Sequence, residues 1–154
     1  MRIVVLSDAH RATRKLFEAV EMHLNDADLF IFLGDGEDDF DEILMAYPKI
    51  RYERVSGNCD WNSKYPTSKI IDFNGKRVFF THGHPYHVKH GYEMIKQHAK
   101  TIGADVCLFG HTHTQFSEYD GDLCVMNPGA ITNGKYGMVD IVPSGIMLIE
   151  CSLE

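Results

Sequence analysis

The stretch Leu29-Phe30-Ile31-Phe32-Leu33, followed at once by Gly34-Asp35-Gly36, decides how this chain folds. Five apolar residues in a row, with no polar alternation, read as a strand buried on both faces. Working outward, Arg2–Leu6 is a second β-rich run, and Thr13–Leu24 places Leu16, Phe17, Val20 and Leu24 at helical spacing. Downstream, Phe40–Tyr47 reads as a short helix carrying Ile43 and Leu44 inward and stopping before Pro48, where helical backbone is disfavoured. Arg51–Val55 is a third strand. A β-α-β-α-β order implies parallel strands joined by crossover helices.

The second half is mostly strand. Lys69–Phe73 and Arg77–Thr81 flank Asn74-Gly75, a strong hairpin signal. His90–Ile102 is predicted as a helix with Ile95, Ala99 and Ile102 inward, stopped by Gly103. Asp105–Phe109 is another buried-type strand, and three further strands follow around Asp120-Gly121 and Pro143-Ser144-Gly145. The expectation is two packed sheets with helices outside.

Length and composition bound the rest. The 154 residues amount to one domain, read over 1–154, large enough for a full core. Fifteen basic against 22 acidic residues give −7, which disfavours a stable nucleic-acid complex or an electrostatic membrane anchor. Hydrophobic content of 44% with 24% charged residues is the globular range. The run Ile3–Leu6 is shorter than the core of about 7–15 residues that a signal peptide needs. No run nears the ~18 apolar residues of a membrane span. Cys59, Cys107, Cys124 and Cys151 show no CxxC spacing, and the last three sit in apolar stretches. The simplest location is the cytoplasm. Nine histidines are the compositional outlier, and imidazole is the commonest metal ligand.

Polar clusters follow five of the predicted strands: Ser7-Asp8-Ala9-His10, Gly34-Asp35-Gly36, Ser56-Gly57-Asn58-Cys59-Asp60, Thr81-His82-Gly83-His84 and Gly110-His111-Thr112-His113. Loops beyond the carboxyl ends of strands are where α/β proteins bind ligands. In extended backbone, positions i and i+2 share a side, which would bring Asp8 to His10 and His111 to His113. Each cluster alone is an ordinary turn or loop pair; their conjunction carries the signal. Asp8, Asp35, Asn58, His10, His82, His111 and His113 make two carboxylates, one amide and four imidazoles. That mixed set suits Mn, Fe, Co, Ni or Zn. It fits two ions sharing Asp35, about 3.5–4 Å apart.

These blocks, in this order, resemble the calcineurin-like metallophosphoesterases. Asn127-Pro128-Gly129-Ala130 and the short length resemble the single-domain, YfcE-like phosphodiesterase branch. The resemblance implies a four-layer α-β-β-α sandwich with a dinuclear metal centre. One ion would take Asp8, His10, Asp35 and His113, and the other Asp35, Asn58, His82 and His111. Mn is the first choice of metal, with Ni, Co, Fe or Zn as alternatives. A hydroxide bridging the ions would attack phosphorus. Asn58, Cys59 and Asp60 mark the catalytic loop. The larger phosphatases carry histidine where Cys59 stands and use it as an acid toward the leaving group. A thiol of pKa about 8.5 is a poor substitute, so Cys59 reads as space-filling and Asp60 as a group orienting a ligand or water. A small phosphodiester is the expected substrate.

His84 is the candidate substrate contact, with Lys89 a weaker one. His87 and His90 read as solvated, His23 and His98 as packing or surface residues, and Trp61 as a packing residue that could wall the pocket. The rival reading is a non-catalytic scaffold like the retromer subunit of the same fold, which predicts decayed ligands. A third, a structural metal site, is disfavoured because structural sites are closed. Self-association is open, with no interface legible.

Overall fold

A computed structural model describes residues 1–153. Among them, in chain order, lie β1 (Arg2–Leu6), α1 (Thr13–Met22), β2 (Leu29–Phe32), α2 (Glu37–Ala46), β3 (Tyr52–Arg54), β4 (Ser68–Phe73), β5 (Lys76–Thr81), α3 (Glu93–Thr101), β6 (Val106–Leu108), β7 (Phe116–Asp120), β8 (Leu123–Asn127), β9 (Lys135–Val142) and β10 (Gly145–Ser152). They form two five-stranded sheets, ordered β10-β9-β1-β2-β3 and β4-β5-β6-β8-β7. Both are mixed. In the first, β1, β2 and β3 run parallel while β9 and β10 pair antiparallel. In the second, β5, β6 and β8 are parallel with antiparallel edges.

The unbroken apolar runs have a direct structural reason. Strand side chains alternate faces, and both faces of β1 and β2 are covered. Val5 and Ile31 point into the core between the sheets with Phe80, Leu108 and Met126. Val4, Phe30 and Phe32 point outward under Leu16 and Val20 of α1 and Phe40 and Ile43 of α2. On the far side, Ile95 and Ala99 of α3 cover Phe79, Cys107 and Val125. The result is the expected α-β-β-α sandwich. No helix among the described residues is long and apolar enough to cross a membrane.

Several boundaries differ from the sequence expectation. Four strands, not three, follow β6, because Asn127-Pro128-Gly129 ends β8 and carries the chain from the second sheet to the first. Proline lacks the N–H to continue a ladder. Helix α2 begins at Glu37 rather than Phe40: its first turn is Glu37-Asp38-Asp39, which has no apolar signal but suits the positive end of a helix. Helix α1 ends at Met22, leaving Leu24 outside it. Helix α3 begins at Glu93, after two 3₁₀ turns and Gly91 at φ +127°. Asn74 and Gly75, at φ +50° and +80°, turn the β4–β5 hairpin as expected.

Candidate metal centre

All five polar clusters lie at carboxyl ends of strands, and they meet at one edge of the sandwich. Backbone bonds join the loops before any side chain does. Asp8 N–H donates to Gly34 O at 2.9 Å, His10 N–H to Asp35 O at 3.1 Å, and Gly110 N–H to His82 O at 2.8 Å. Two glycines permit the closest approach. A Cβ on Gly57 would stand 2.1 Å from Asp35 Oδ1, and one on Gly110 would stand 2.1 Å from Ser7 Oγ.

Convergence does not come from extended backbone, as i, i+2 spacing suggested. Asp8, His10, Asp35, His111 and His113 all sit at positive φ, between 42° and 71°. This left-handed backbone is uncommon for residues with a Cβ, and it concentrates at functional sites. It also separates the two histidines of the last loop. His113 Nε2 faces His10 Nε2 at 3.2 Å, whereas His111 Nδ1 faces His82 Nε2 at 3.2 Å.

Three donor groups result, each with its atoms within 4.8 Å of one another: Asp8, His10 and His113; Asp35, His82 and His111; and His10, Asp35 and Cys59. The first two share members with the two ion sites implied by the resemblance. The third brings in Cys59. Asn58 is exposed beside it, its amide donating to Cys59 Sγ at 3.6 Å.

The carboxylates are held by one oxygen and face inward with the other. Asp8 is wholly buried. Its Oδ2 accepts the Ser7 hydroxyl at 2.6 Å and the His111 N–H at 3.0 Å. Among the described residues its Oδ1 has no hydrogen-bond partner, although Nε2 atoms of His113, His10 and His82 stand 3.2, 3.4 and 3.8 Å away. Asp35 repeats the pattern. Oδ1 accepts the Cys59 N–H at 2.8 Å, and Oδ2 faces His82 Nε2 at 3.3 Å and His10 Nε2 at 3.6 Å. His82 is anchored by Nδ1, which donates to Leu33 O at 2.8 Å, so Nε2 is the atom aimed at both carboxylates. A ring held this way is oriented as metal-ligating histidines are. A buried, orphaned carboxylate oxygen among imidazole nitrogens, those of His10 and His113 reaching it from the exposed side, fits a divalent cation by donor type and by placement.

Titration follows the crowding. Burial alone would raise the Asp8 carboxyl, but the imidazoles of His10, His113 and His82 and the Ser7 hydroxyl hold it well below the usual range. Asp35 is lowered in the same way, His82 outweighing burial. Burial opposes protonation of His82, yet its contacts with Asp35 and Asp8 raise its pKa overall. His111 moves the other way, to about 4, through burial and the charges of His82 and Lys89. Burial and the neighbouring Asp35 push the Cys59 thiol up.

Asp60 has a sharper role than the sequence suggested. Its carboxylate accepts four backbone N–H groups, those of Asp35, Gly36, Glu37 and Gly57, at 2.7–3.0 Å. It therefore fastens the Asp35 loop to the Asn58 loop and caps α2. Sequence reading also missed Ser7 and Asn127. Asn127, buried, donates to Gly110 O at 3.0 Å and Thr112 Oγ1 at 2.9 Å, and accepts Gly129 N–H at 2.8 Å. It props the loop that carries His111 and His113; the Asn-Pro-Gly sequence was its available signal.

The remaining candidates disperse. His84 stays near the site, its ring 5.5 Å from that of His82, with Nδ1 buried and unpartnered. His87, Lys89 and His90 are exposed. His98 packs on Phe79 and Tyr86, and His23 is buried between Asp26 and Tyr136. Cys107 and Cys124 are buried, Cys151 is half-buried, and all four cysteines are free thiols. Trp61 is 86% exposed, so it is not a packing residue; it lines a cavity at the site.

Comparison with known proteins agrees with this geometry. The chain is 30% identical over 132 residues to the probable metallophosphoesterase YsnB of Bacillus subtilis, covering 85% of this chain and 75% of that protein. It is 30% identical over 101 residues to the phosphodiesterase YfcE of Escherichia coli K12, covering 56% of this chain and 50% of that one. Vps29 of Entamoeba histolytica, solved in complex with Zn²⁺, superposes over the whole of both chains with a TM-score of 0.76 at 17% identity, which shows a shared fold. The family model of the calcineurin-like phosphoesterase superfamily domain matches residues 1–144, and the chain belongs to that family.

Proposed function

We propose that this protein is a metal-dependent phosphodiesterase acting on small phosphodiesters. The observation that carries the reading is Asp8 Oδ1, buried without a hydrogen bond among three imidazole nitrogens. Asp8, His10, Asp35 and His113 would hold one divalent ion, and Asp35, Asn58, His82 and His111 a second, with Mn favoured over Ni, Co, Fe or Zn. The chemistry such a pair would supply is a lowered pKa for bound water and neutralisation of charge on phosphate oxygens.

The chain's own residues supply position and charge. Ser7 and the His111 N–H fix Asp8, the Cys59 N–H fixes Asp35, and Leu33 O fixes His82. His84 would contact a phosphate oxygen, a role supported by its ring lying 5.5 Å from that of His82 and 6.1 Å from that of His111. The Cys59 thiol, pushed up by burial and Asp35, would be a poor proton donor to a leaving group. That favours diesters with good leaving groups over monoesters. The phosphodiesterase relative supports this class. The likeness to Vps29 supports the scaffold alternative in fold alone, and the inward-facing donors favour chemistry.

The test is hydrolysis of bis(p-nitrophenyl) phosphate by protein stripped with chelator and reloaded with Mn, beside p-nitrophenyl phosphate. Metal-dependent turnover favouring the diester, abolished in Asp35→Ala, is the expected result. No turnover with any divalent ion, despite two bound per chain, overturns it in favour of a scaffold.

A further inference from the structure

Arg11 combines three observations that the metal centre does not use. First, it holds φ +69°. Eight other non-glycine residues among those described have positive φ, and every one is Asp, Asn or His, the types that tolerate this region best. Arginine gains nothing from it locally. Second, the loop is fastened there: Arg11 N–H donates to Asp39 Oδ2 at 3.1 Å, and Asp39 is buried, with Thr13 Oγ1 on its other oxygen. Third, Arg11 is exposed and, among the described residues, its side chain makes no hydrogen bond or ion pair. It nevertheless lines a cavity of about 450 Å³ that opens on His10, Asp35 and Cys59.

That cavity has an unfavourable charge for a phosphodiesterase. Glu37 and Asp38 line it, and among the described residues Arg11 is its only lining residue with a permanent positive charge. A free carboxylate wall repels an anion in a site of reduced dielectric. A guanidinium reverses this locally, and its planar fork matches two oxygens of one phosphate.

We propose that Arg11 is a substrate-binding residue, whose guanidinium takes the non-bridging oxygens of the phosphate bound beside His10 and Asp35. This deepens the phosphodiesterase reading and rests on it for the identity of the substrate. The strained backbone keeps an arginine in the cavity lining, at the expense of the glycine that φ would favour.

The test compares wild type, Arg11→Gly and Arg11→Lys, all loaded with Mn. Inorganic phosphate is titrated calorimetrically, kcat and KM are measured with bis(p-nitrophenyl) phosphate, and melting temperature is recorded. Arg11→Gly is expected to keep or raise the melting temperature while weakening phosphate binding roughly 10- to 100-fold, with KM rising accordingly. Arg11→Lys, a point charge without the fork, is expected to fall between. Unchanged phosphate affinity and KM in Arg11→Gly overturn the proposal. So does a lowered melting temperature in Arg11→Gly that Arg11→Lys restores together with full affinity, since packing would then explain the residue. Wild type that binds no phosphate overturns it as well. If wild type binds phosphate through Arg11 but turns over no diester, the phosphodiesterase reading falls and Arg11 stands as an anion site. If diester turnover is normal and indifferent to Arg11→Gly, the reverse holds.

Discussion

Asp60 Oδ2 accepts the backbone N–H of Asp35 at 2.8 Å, joining the loop after β3 to the loop after β2. The same oxygen takes Gly57 N–H at 2.7 Å, and Oδ1 takes those of Gly36 and Glu37, both at 3.0 Å. An amide has only one acceptor oxygen. Asp60→Asn therefore turns an NH₂ group toward donors that need an acceptor. The expected loss is about 2–4 kcal/mol of folding stability, read from urea unfolding, together with weaker metal binding measured by dialysis and elemental analysis. A variant as stable as wild type would contradict the fastening role.

Gly57 is where the same two loops touch. Its absent side chain leaves room for Asp35, and a Cβ there would lie 2.1 Å from Asp35 Oδ1 and 2.6 Å from Asp35 N. Gly57→Ala is expected to destabilise the protein by about 3 kcal/mol, since neither neighbour can move without breaking the Asp60 bonds. Gly75, whose Cβ would meet nothing within 4 Å, is the contrast. Gly75→Ala is expected to cost only about 1 kcal/mol, the conformational cost of its positive φ. Equal losses in the two variants would remove the steric argument.

Cys59→His places an imidazole beside Asp35 in the cavity that both residues line. If a missing acid limits monoester cleavage, the variant should raise the monoester-to-diester rate ratio by about tenfold or more. Rates with p-nitrophenyl phosphate and bis(p-nitrophenyl) phosphate measure it. An unchanged ratio would mean that the acid is not what separates the two substrates.

Away from the site, Arg2 and Asp140 pair across β1 and β9, with Nε to Oδ1 at 2.8 Å and Nη2 to Oδ2 at 2.9 Å. The guanidinium holds the Asp140 carboxyl below its ordinary value. A lowered carboxylate pKa stabilises the fold above the unfolded pKa of about 3.9, and that contribution is lost as pH falls through the folded value below it. Asp140→Asn should therefore melt earlier than wild type at pH 7, by about 1 kcal/mol for this partly exposed pair. The gap should narrow and close as pH falls below the unfolded value and through the lowered folded one. A gap constant from pH 7 to pH 2 would show that charge is not its origin.

The parts of this molecule that were legible in its sequence are those written in local chemistry. Leu29–Leu33 announced a doubly covered strand, Asn74-Gly75 a hairpin, and five polar clusters the edge where ligands gather. What stayed hidden depends on partners distant in sequence. Nothing local marks Asp60 as an acceptor for four N–H groups, because their geometry exists only once β2 and β3 lie side by side. The positive φ of His10 and His113 was likewise illegible, since histidine carries no signal comparable to that of glycine. The first turn of α2 was missed because its acidic residues face the site rather than the core.

The two sheets contribute unequal shares of the candidate metal-binding residues. Asp8, His10, Asp35 and Asn58 follow strands of the first, while His82, His111 and His113 follow strands of the second. Neither half can assemble a full set of donors alone. An ion held between them acts as a cross-link that forms only after the sandwich closes, so loading the centre should slow unfolding more than it speeds refolding. The same division makes the centre a proximity sensor. If the chain were cut in the mostly exposed stretch after Asp60 and before β4, metal affinity would report whether the two fragments had found each other.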